Sequence, residues 1–569
     1  MSPRTQKVRR APTHPVTTDG TMTQRQILEA LSGLLLGMFV AILAGTVVAT
    51  SLPLIIADLG GDQSAYTWVV TGTLLATAVS TPIWGKFADL FNRKLLIQLA
   101  LAIFVIGSAL AGFSQDTNTL IGFRVLQGLG AGGLAALSQI IMADIISPRD
   151  RGKYAGLFGG VMALGTVGGP LLGGVVTDAF GWRWNFFIAL PIAMIAIILL
   201  QMTLHLPKRP RRVARIDYLG AVLIAAGVSL LLIWVTQAGN QFEWASAQSF
   251  VMVAGAAALL IAAVFVEFRA KEPIIPLDLF KDRTFTLATV ASLSVGVAMF
   301  GTSVFLSQYM QLARGATPTQ SGLLTIPMMG GLLISSTVFG SMVSRTGKWK
   351  AILVWGSVLV IAGLLLLGTL QYDTNLVLVG MYMFVLGAGL GMLMQNLVLV
   401  VQNAIDVKNL GVATSAVTFF RSIGGTIGIS VLGSVLGSTV ASTITHGIGS
   451  LSPADQVAAG KALGSGAIPH VSELPDAIRV LVESSYGSGV GTVFLLGAPL
   501  AVVTLIMVAL LPNLPLGRKN AIELAQTEES VHQREIEDAE DILIEVSAAA
   551  AALPPVGEAH PTGSIEVVK

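Results

Sequence analysis

Fourteen runs of about twenty apolar residues, separated by polar turns, recur along the whole chain. They lie near 30–56, 66–84, 95–113, 119–143, 154–177, 184–205, 218–238, 247–267, 284–307, 320–343, 351–369, 376–400, 411–437 and 489–512. A run of that length, coiled at ~1.5 Å per residue, matches the ~30 Å hydrocarbon thickness of a bilayer. Inside lipid every backbone N–H and C=O has to be paired within the segment, so the runs are predicted to be helices. The balance of residues agrees: 53% are hydrophobic and 12% charged, about half the charged share of a soluble domain. The expected class is an all-α polytopic membrane protein with about 14 transmembrane helices. The first run, Ala30–Ile56, is longer than a signal-peptide core and lacks a convincing cleavage site, so it reads as a spanner.

Net charge is only +2, but its distribution is informative. With both termini cytoplasmic, the inner loops hold Lys86, Arg93, Lys94, Arg149, Arg151, Lys153, Arg345, Lys348 and Lys350. They also hold the basic runs at 208–215 and 269–283, with Arg518 and Lys519 after the last spanner. The outer loops hold only Arg183, Arg314, Lys461 and Arg479. An even number of spanners therefore satisfies the positive-inside rule at nearly every loop.

The chain also repeats itself. Gly85-Lys-Phe-Ala-Asp-Leu-Phe-Asn-Arg-Lys94 is answered by Gly340-Ser-Met-Val-Ser-Arg-Thr-Gly-Lys-Trp-Lys350, each after its half's second run. Two six-helix halves are expected, 30–205 and 284–512, joined by a linker at 206–283 that carries two extra spanners. Residues 1–29 form a basic cytoplasmic segment. Residues 438–488 form a long outer loop with amphipathic stretches near Pro453–Leu463 and Leu474–Ser484, read as a cap over the outer mouth or a docking site for an envelope partner. Residues 513–569 are an acidic cytoplasmic tail, partly disordered, with a surface helix over Ala521–Val546.

Local features then suggest where function sits. In Gly165-Thr-Val-Gly-Gly-Pro-Leu-Leu-Gly-Gly174, residues Gly165, Gly169 and Gly173 fall on one helix face, which lets another helix approach closely, and Pro170 adds a bend to that face. Arg124 lies well inside the fourth run, where a charge costs at least ~2.5–3.5 kcal/mol unless it meets water or a partner. Gln127, one turn on, shares its side of the helix. Arg421 stands alone in the thirteenth run in the same way. Asp89 and Arg93 sit four residues apart across a tight turn, with Asp144 ending the fourth run at the same membrane side, so one arginine can bridge two carboxylates. A substrate path between the halves would be lined by Thr46, Thr50, Trp68 and Gln127 on one side and Gln308, Met328, Met329, Gln395, Asn396, Phe420 and Arg421 on the other.

Three motifs in order resemble those of the major facilitator superfamily: Gly85–Lys94, Arg124-Val-Leu-Gln-Gly-Leu-Gly130 and Gly165–Gly174, with Trp182–Phe187 and Tyr309-Met-Gln311 in support. Over residues 30–512 the chain resembles the fourteen-spanner drug:proton antiporters (EmrB/QacA-like). That resemblance implies proton-motive-force-driven export of lipophilic small molecules by alternating access. It implies an antiporter motif at Gly165, Gly169, Pro170, Gly173 and Gly174, proton transfer linked to Arg124, and a gate at Asp89, Arg93 and Asp144. One departure stands out: the family's first spanner carries an acid where this chain has Ala44. Proton coupling is therefore expected through Arg124, with Asp144 or Asp178 as the exchanging acid.

The remaining classes are poorly supported. Six histidines are scattered and cysteine is absent, so neither a metal centre nor thiolate chemistry is expected, and no cofactor. There is no phosphate-binding Walker loop for ATP, no repeated filter for a channel, and no concentrated basic patch for nucleic acid. The open alternatives are a dedicated exporter of an endogenous amphiphile and a non-transporting membrane sensor. The expected location is the bacterial plasma membrane.

Overall fold

A computed structural model describes residues 24–524 apart from 61–62, 205, 207–216, 240, 271, 450 and 464–473, together with scattered residues between 527 and 544. Most of the basic N-terminal segment and of the acidic tail, and the tip of the outer segment, lie outside the described residues. Fourteen long helices form: α1 Gln24–Asp58, α2 Gln63–Leu90, α3 Arg93–Gly112, α4 Thr117–Ile145, α5 Ala155–Phe180, α6 Ala189–Thr203 and α7 Tyr218–Gln237, then α8 Ala247–Arg269, α9 Arg283–Gln308, α10 Ile326–Thr346, α11 Trp349–Leu367, α12 Leu376–Ala404, α13 Leu410–Ile448 and α14 Asp476–Leu510. Among the described residues no strand forms.

Among the described residues, thirteen of these helices, α6 counted with the turn from Trp184, are long and apolar enough to cross a membrane. The exception is α2, which is long enough but rich in hydroxyls. It remains compatible with lipid because those hydroxyls return to its own carbonyls, Thr73 to Val69 O at 3.1 Å, Thr77 to Thr73 O at 2.8 Å and Thr81 to Thr77 O at 2.7 Å. Its face toward α4 is that of an interior helix.

The two halves pack alike. In the first, α2 and α3 lie on α4 while α1 lies on α5 and α6; in the second, α10 and α11 lie on α12 while α9 lies on α13 and α14. The halves meet along two seams, α2 against α13 and α5 against α10. These pair the second helix of one half with the fifth of the other. The inserted pair α7–α8 lies over only one of them. Ile224, Val228 and Leu232 of α7 bury against Ala78 and Val79 of α2 and Phe419 and Ile423 of α13, and Lys86 at the end of α2 bonds Glu272 beyond α8 at 2.8 Å. The outer face of α8 is bare, with Phe250, Val251, Phe265 and Phe268 exposed, as lipid contact allows.

The segment expected to be a long outer loop at 438–488 is mostly helical. The thirteenth helix continues to Ile448, and the stretch near Leu474–Ser484 is largely the start of α14. Ile444 and Ile448 recur at helical spacing and meet Ile478 and Val482, with Ala459 of the short helix Pro453–Leu463 tucked beneath them. That apolar pairing extends both helices beyond the membrane run.

Candidate functional site

The glycine face of α5 packs on α1. A Cβ on Gly165 would stand 2.7 Å from Ile42 and one on Gly173 2.8 Å from the Val47 carbonyl, while Gly169 lies directly under Thr46. Thr46 uses the closeness: its hydroxyl donates to Gly165 O at 2.9 Å, across the two helices. Pro170 sits inside a continuous α5, and a Cβ on Gly322 of the short helix Pro318–Leu324, in the other half, would stand 3.4 Å from it. Gly174 has open space beside it.

At the basic end of the bundle the first motif folds into a clasp. Asn92 caps α3 by accepting from Lys94 N at 2.9 Å, which turns Arg93 back beneath α2. There its Nε donates to Ala88 O at 2.8 Å, one Nη donates to Asp89 Oδ1 at 3.1 Å and the other to Asp144. All three side chains are buried. The Asp89 carboxylate also crosses the seam and accepts from Gly411 N at 2.8 Å and Val412 N at 2.9 Å. These are first-turn amides of α13, which have no partner within their own helix and carry its positive dipole end. A Cβ on Gly411 would lie 2.5 Å from Asp89 Oδ1, so only glycine admits the carboxylate. Gly85 crosses the same seam, 2.8 Å from Gly411 O at its Cβ position.

The second seam closes with opposite chemistry. Ser344 stands where the repeat has Asp89, and its buried hydroxyl has no partner among the described residues. Instead Arg149 of the first half donates to the terminal carbonyls of α10, Ser344 O at 3.0 Å and Arg345 O at 2.8 Å. Gly347 ends α10 in the left-handed conformation, φ 74°, with Arg149 2.7 Å from its missing Cβ. Gly152 and Gly340 cross here backbone to backbone.

Between the seams lies a network whose role the sequence did not single out. Arg151 is buried and fully used, by Ile146 O, Ala143 O and the Gln402 side chain at 2.6 Å. Gln402 donates in turn to Thr414 Oγ1 at 3.1 Å and Gln139 O at 3.3 Å, and Gln139 reaches Gln395 at 3.3 Å. Arg151 looked like one more inner-loop charge. Only the fold shows that the Ser147-capped turn drives it under α12.

The arginines inside the membrane run separate from this network. Asp116 caps α4, and its bonds from Thr119, the amide foremost, hold its carboxyl below the usual range. Two turns on, Arg124 is buried and donates to Gln127 at 2.6 Å, as the shared helix face anticipated, while its Nε and the Gln127 amide nitrogen have no partner among the described residues. Arg421 donates to Met394 O at 3.1 Å.

The expected substrate-path residues are not gathered in one place. Gln395 and Asn396 border a small cavity with Met142, Arg151, Leu399 and Gln402, while Asn396 is tied to its own helix at Met392 O, 2.7 Å. Met328 and Met329 are core residues, Gln308 is half-buried with a buried Oε1 that has no partner among the described residues, and Trp68 is half-buried. Phe420 meets Phe280 of the linker, centroids 6.1 Å apart, and packs against the core of the second half. Thr50 and Asp178 lie in α1 and α5, but their side chains are outside the described residues. Glu267, near the end of α8, is buried and accepts from Ile274 N at 3.1 Å and Ile275 N at 3.2 Å.

Two six-helix halves meeting at two seams, each clasped at the same end, define a polytopic membrane carrier. Residues 34–429 match the Major Facilitator Superfamily model, and the chain belongs to that superfamily. It is 37% identical over 85% of its length, and 69% of the relative's, to an uncharacterised MFS-type transporter of Mycobacterium tuberculosis. It is 36% identical, over 73% of this chain and 76% of the relative, to the multidrug transporter protein MdtP of Bacillus subtilis. Multidrug resistance protein 3 of the same organism is 31% identical over 84% and 93%. The fold is similar to that of the human organic anion transporter MFSD10, with a TM-score of 0.55, 15% identity, and 84% and 99% of the two chains covered.

Proposed function

We propose that the protein is a drug:proton antiporter of the fourteen-spanner kind, exporting lipophilic small molecules across the cell membrane by alternating access, with both termini cytoplasmic. The observation that carries this reading is the basic end: both seams are shut by contacts from one half onto a helix terminus of the other. Bonds of that kind can be exchanged for water as the halves rock apart, without unpacking either half. Efflux and multidrug relatives named as such support the substrate class.

In this reading Asp89, Arg93 and Asp144 form the gate, Thr46 and the α5 glycines hold the antiporter crossing, and Arg124 with Gln127 forms the proton-responsive centre, with Asp144 and Asp178 as exchanging acids. Ala44, in place of an acid in α1, favours a second reading: a dedicated exporter of an endogenous neutral or anionic amphiphile. Ethidium efflux from loaded cells tests both. Loss of efflux in Arg124→Ala and with a protonophore is expected for the antiporter, as is loss in the Asp144→Asn, Asp178→Asn double variant. Absence of efflux from well-expressed wild type selects the second reading.

A further inference from the structure

The two halves are unequal at the basic end in one more respect. The first half carries a clasp of its own, Arg93 between two acids. The second half has the same turns without the acids or a buried base: Ser344 replaces Asp89, an exposed Lys348 replaces Arg93, and the end of α12, equivalent to the end of α4 that bears Asp144, presents Asn403. That position is filled by the chain just past α14. Lys350 donates to Leu511 O at 2.7 Å and Trp349 Nε1 to Leu514 O at 2.8 Å. Asn403 then grips the segment twice, donating to Pro515 O at 3.1 Å and accepting from Gly517 N at 2.8 Å. Leu516 is buried in the core of the second half.

The segment then crosses to the first half. Gly517 O accepts from Arg149 N at 3.1 Å, beside Pro148. Ala521, at the start of a turn capped by Asn520 and Glu523, is buried between Ala143 of α4 and Leu410 of α13. So a stretch of eleven residues, 511–521, is held by several bonds to one half and by one amide and one methyl contact to the other. A part bound firmly to one moving body and lightly to its partner follows the first and reports on the second.

We propose that residues 511–521 are a built-in strap that docks across both halves, supplying the second clasp that the repeat lost and biasing the carrier toward the state closed at the basic end. This rests on the alternating-access reading. The strap has no role in binding substrate.

The test uses the full-length protein in liposomes, followed by amide hydrogen exchange. Asn403→Leu removes two of the bonds that hold the strap, its own. Exchange at Gly411 and Val412, whose amides are covered by Asp89 only in the closed state, should rise by about fivefold, the weight of one net hydrogen bond. The converse variant is Pro148→Cys with Gly517→Cys, in a chain that has no other cysteine. Oxidation should slow the same exchange below wild type, and a reductant should return it. Unchanged exchange at those amides in Asn403→Leu and in the oxidised pair, with the disulfide verified by mass, overturns the proposal. Spin labels at Lys153→Cys and Lys408→Cys, one exposed site in each half, separate this from the wider reading. A wild type that opens and closes without proton counterflow would remove the antiport reading and leave the strap standing.

Discussion

The α2–α13 seam and the α5–α10 seam are related by the internal repeat, share a glycine crossing, and use opposite charges. At the first, a carboxylate grips the amide end of a helix; at the second, a guanidinium grips the carbonyl end. The difference follows from where each side chain starts. Asp89 lies at the end of its own helix, an unfavourable place for an anion, and is tolerated because Arg93 and the foreign α13 amides surround it. Ser344 has the same place without either neighbour, and there the Arg149 guanidinium bonds the helix-end carbonyls instead. What the repeat conserves is the backbone crossing. The electrostatics were free to invert.

The sharpest way to break the comparison is at the buried bases. Arg93→Ala leaves two buried carboxylates without their shared cation and should destabilise the closed form by about 3–5 kcal/mol. Lys348→Ala, at the matching exposed site, should change it by less than about 0.5 kcal/mol. Thermal unfolding in detergent measures both. Next come the crossings. Gly85→Val and Gly340→Val should each cost about 1–3 kcal/mol by overpacking, the first against the Ser415 side chain and the Gly411 carbonyl, the second against the Gly152 carbonyl. Unequal losses would show that the seams differ in packing as well as charge.

A smaller effect concerns the charges themselves. Asp89→Asn should weaken closure by up to about 2 kcal/mol and respond little to salt, since the site is buried. Arg149→Gln should lose less, and the wild-type contribution should fade in concentrated salt because that side chain is only partly covered. Hydrogen exchange at the basic end in low and high salt reads both. Last, Ser344→Ala should be nearly neutral, the hydroxyl having no partner among the described residues. A clear loss there would mean that a bridging group acts at the second seam.

Much of the architecture was legible because lipid leaves few choices: an apolar run must be a helix, and fourteen runs with basic inner loops allow little besides paired bundles. The Asp89–Arg93–Asp144 cluster was legible from spacing, and the α5 glycine face from its period of four. Arg149, Arg151, Asn403 and Gln402 were not. Each looks like an ordinary loop or helix-end residue, and its role depends on which carbonyl or amide of the other half arrives beside it, a long-range fact with no local signature. The α13–α14 extension was missed for a simpler reason: its small and polar residues hide the four isoleucines and valines that hold the two helices together.

The placement of α7–α8 over a single seam makes the two flanks of the carrier unlike each other. On the flank of α2 and α13, an oily molecule dissolved in the bilayer meets a two-helix screen. On the flank of α5 and α10 it meets the bare carrier, where Leu164, Val175, Ile334 and Val338 already face outward. A route from lipid into the carrier, if this chain uses one, would therefore be one-sided.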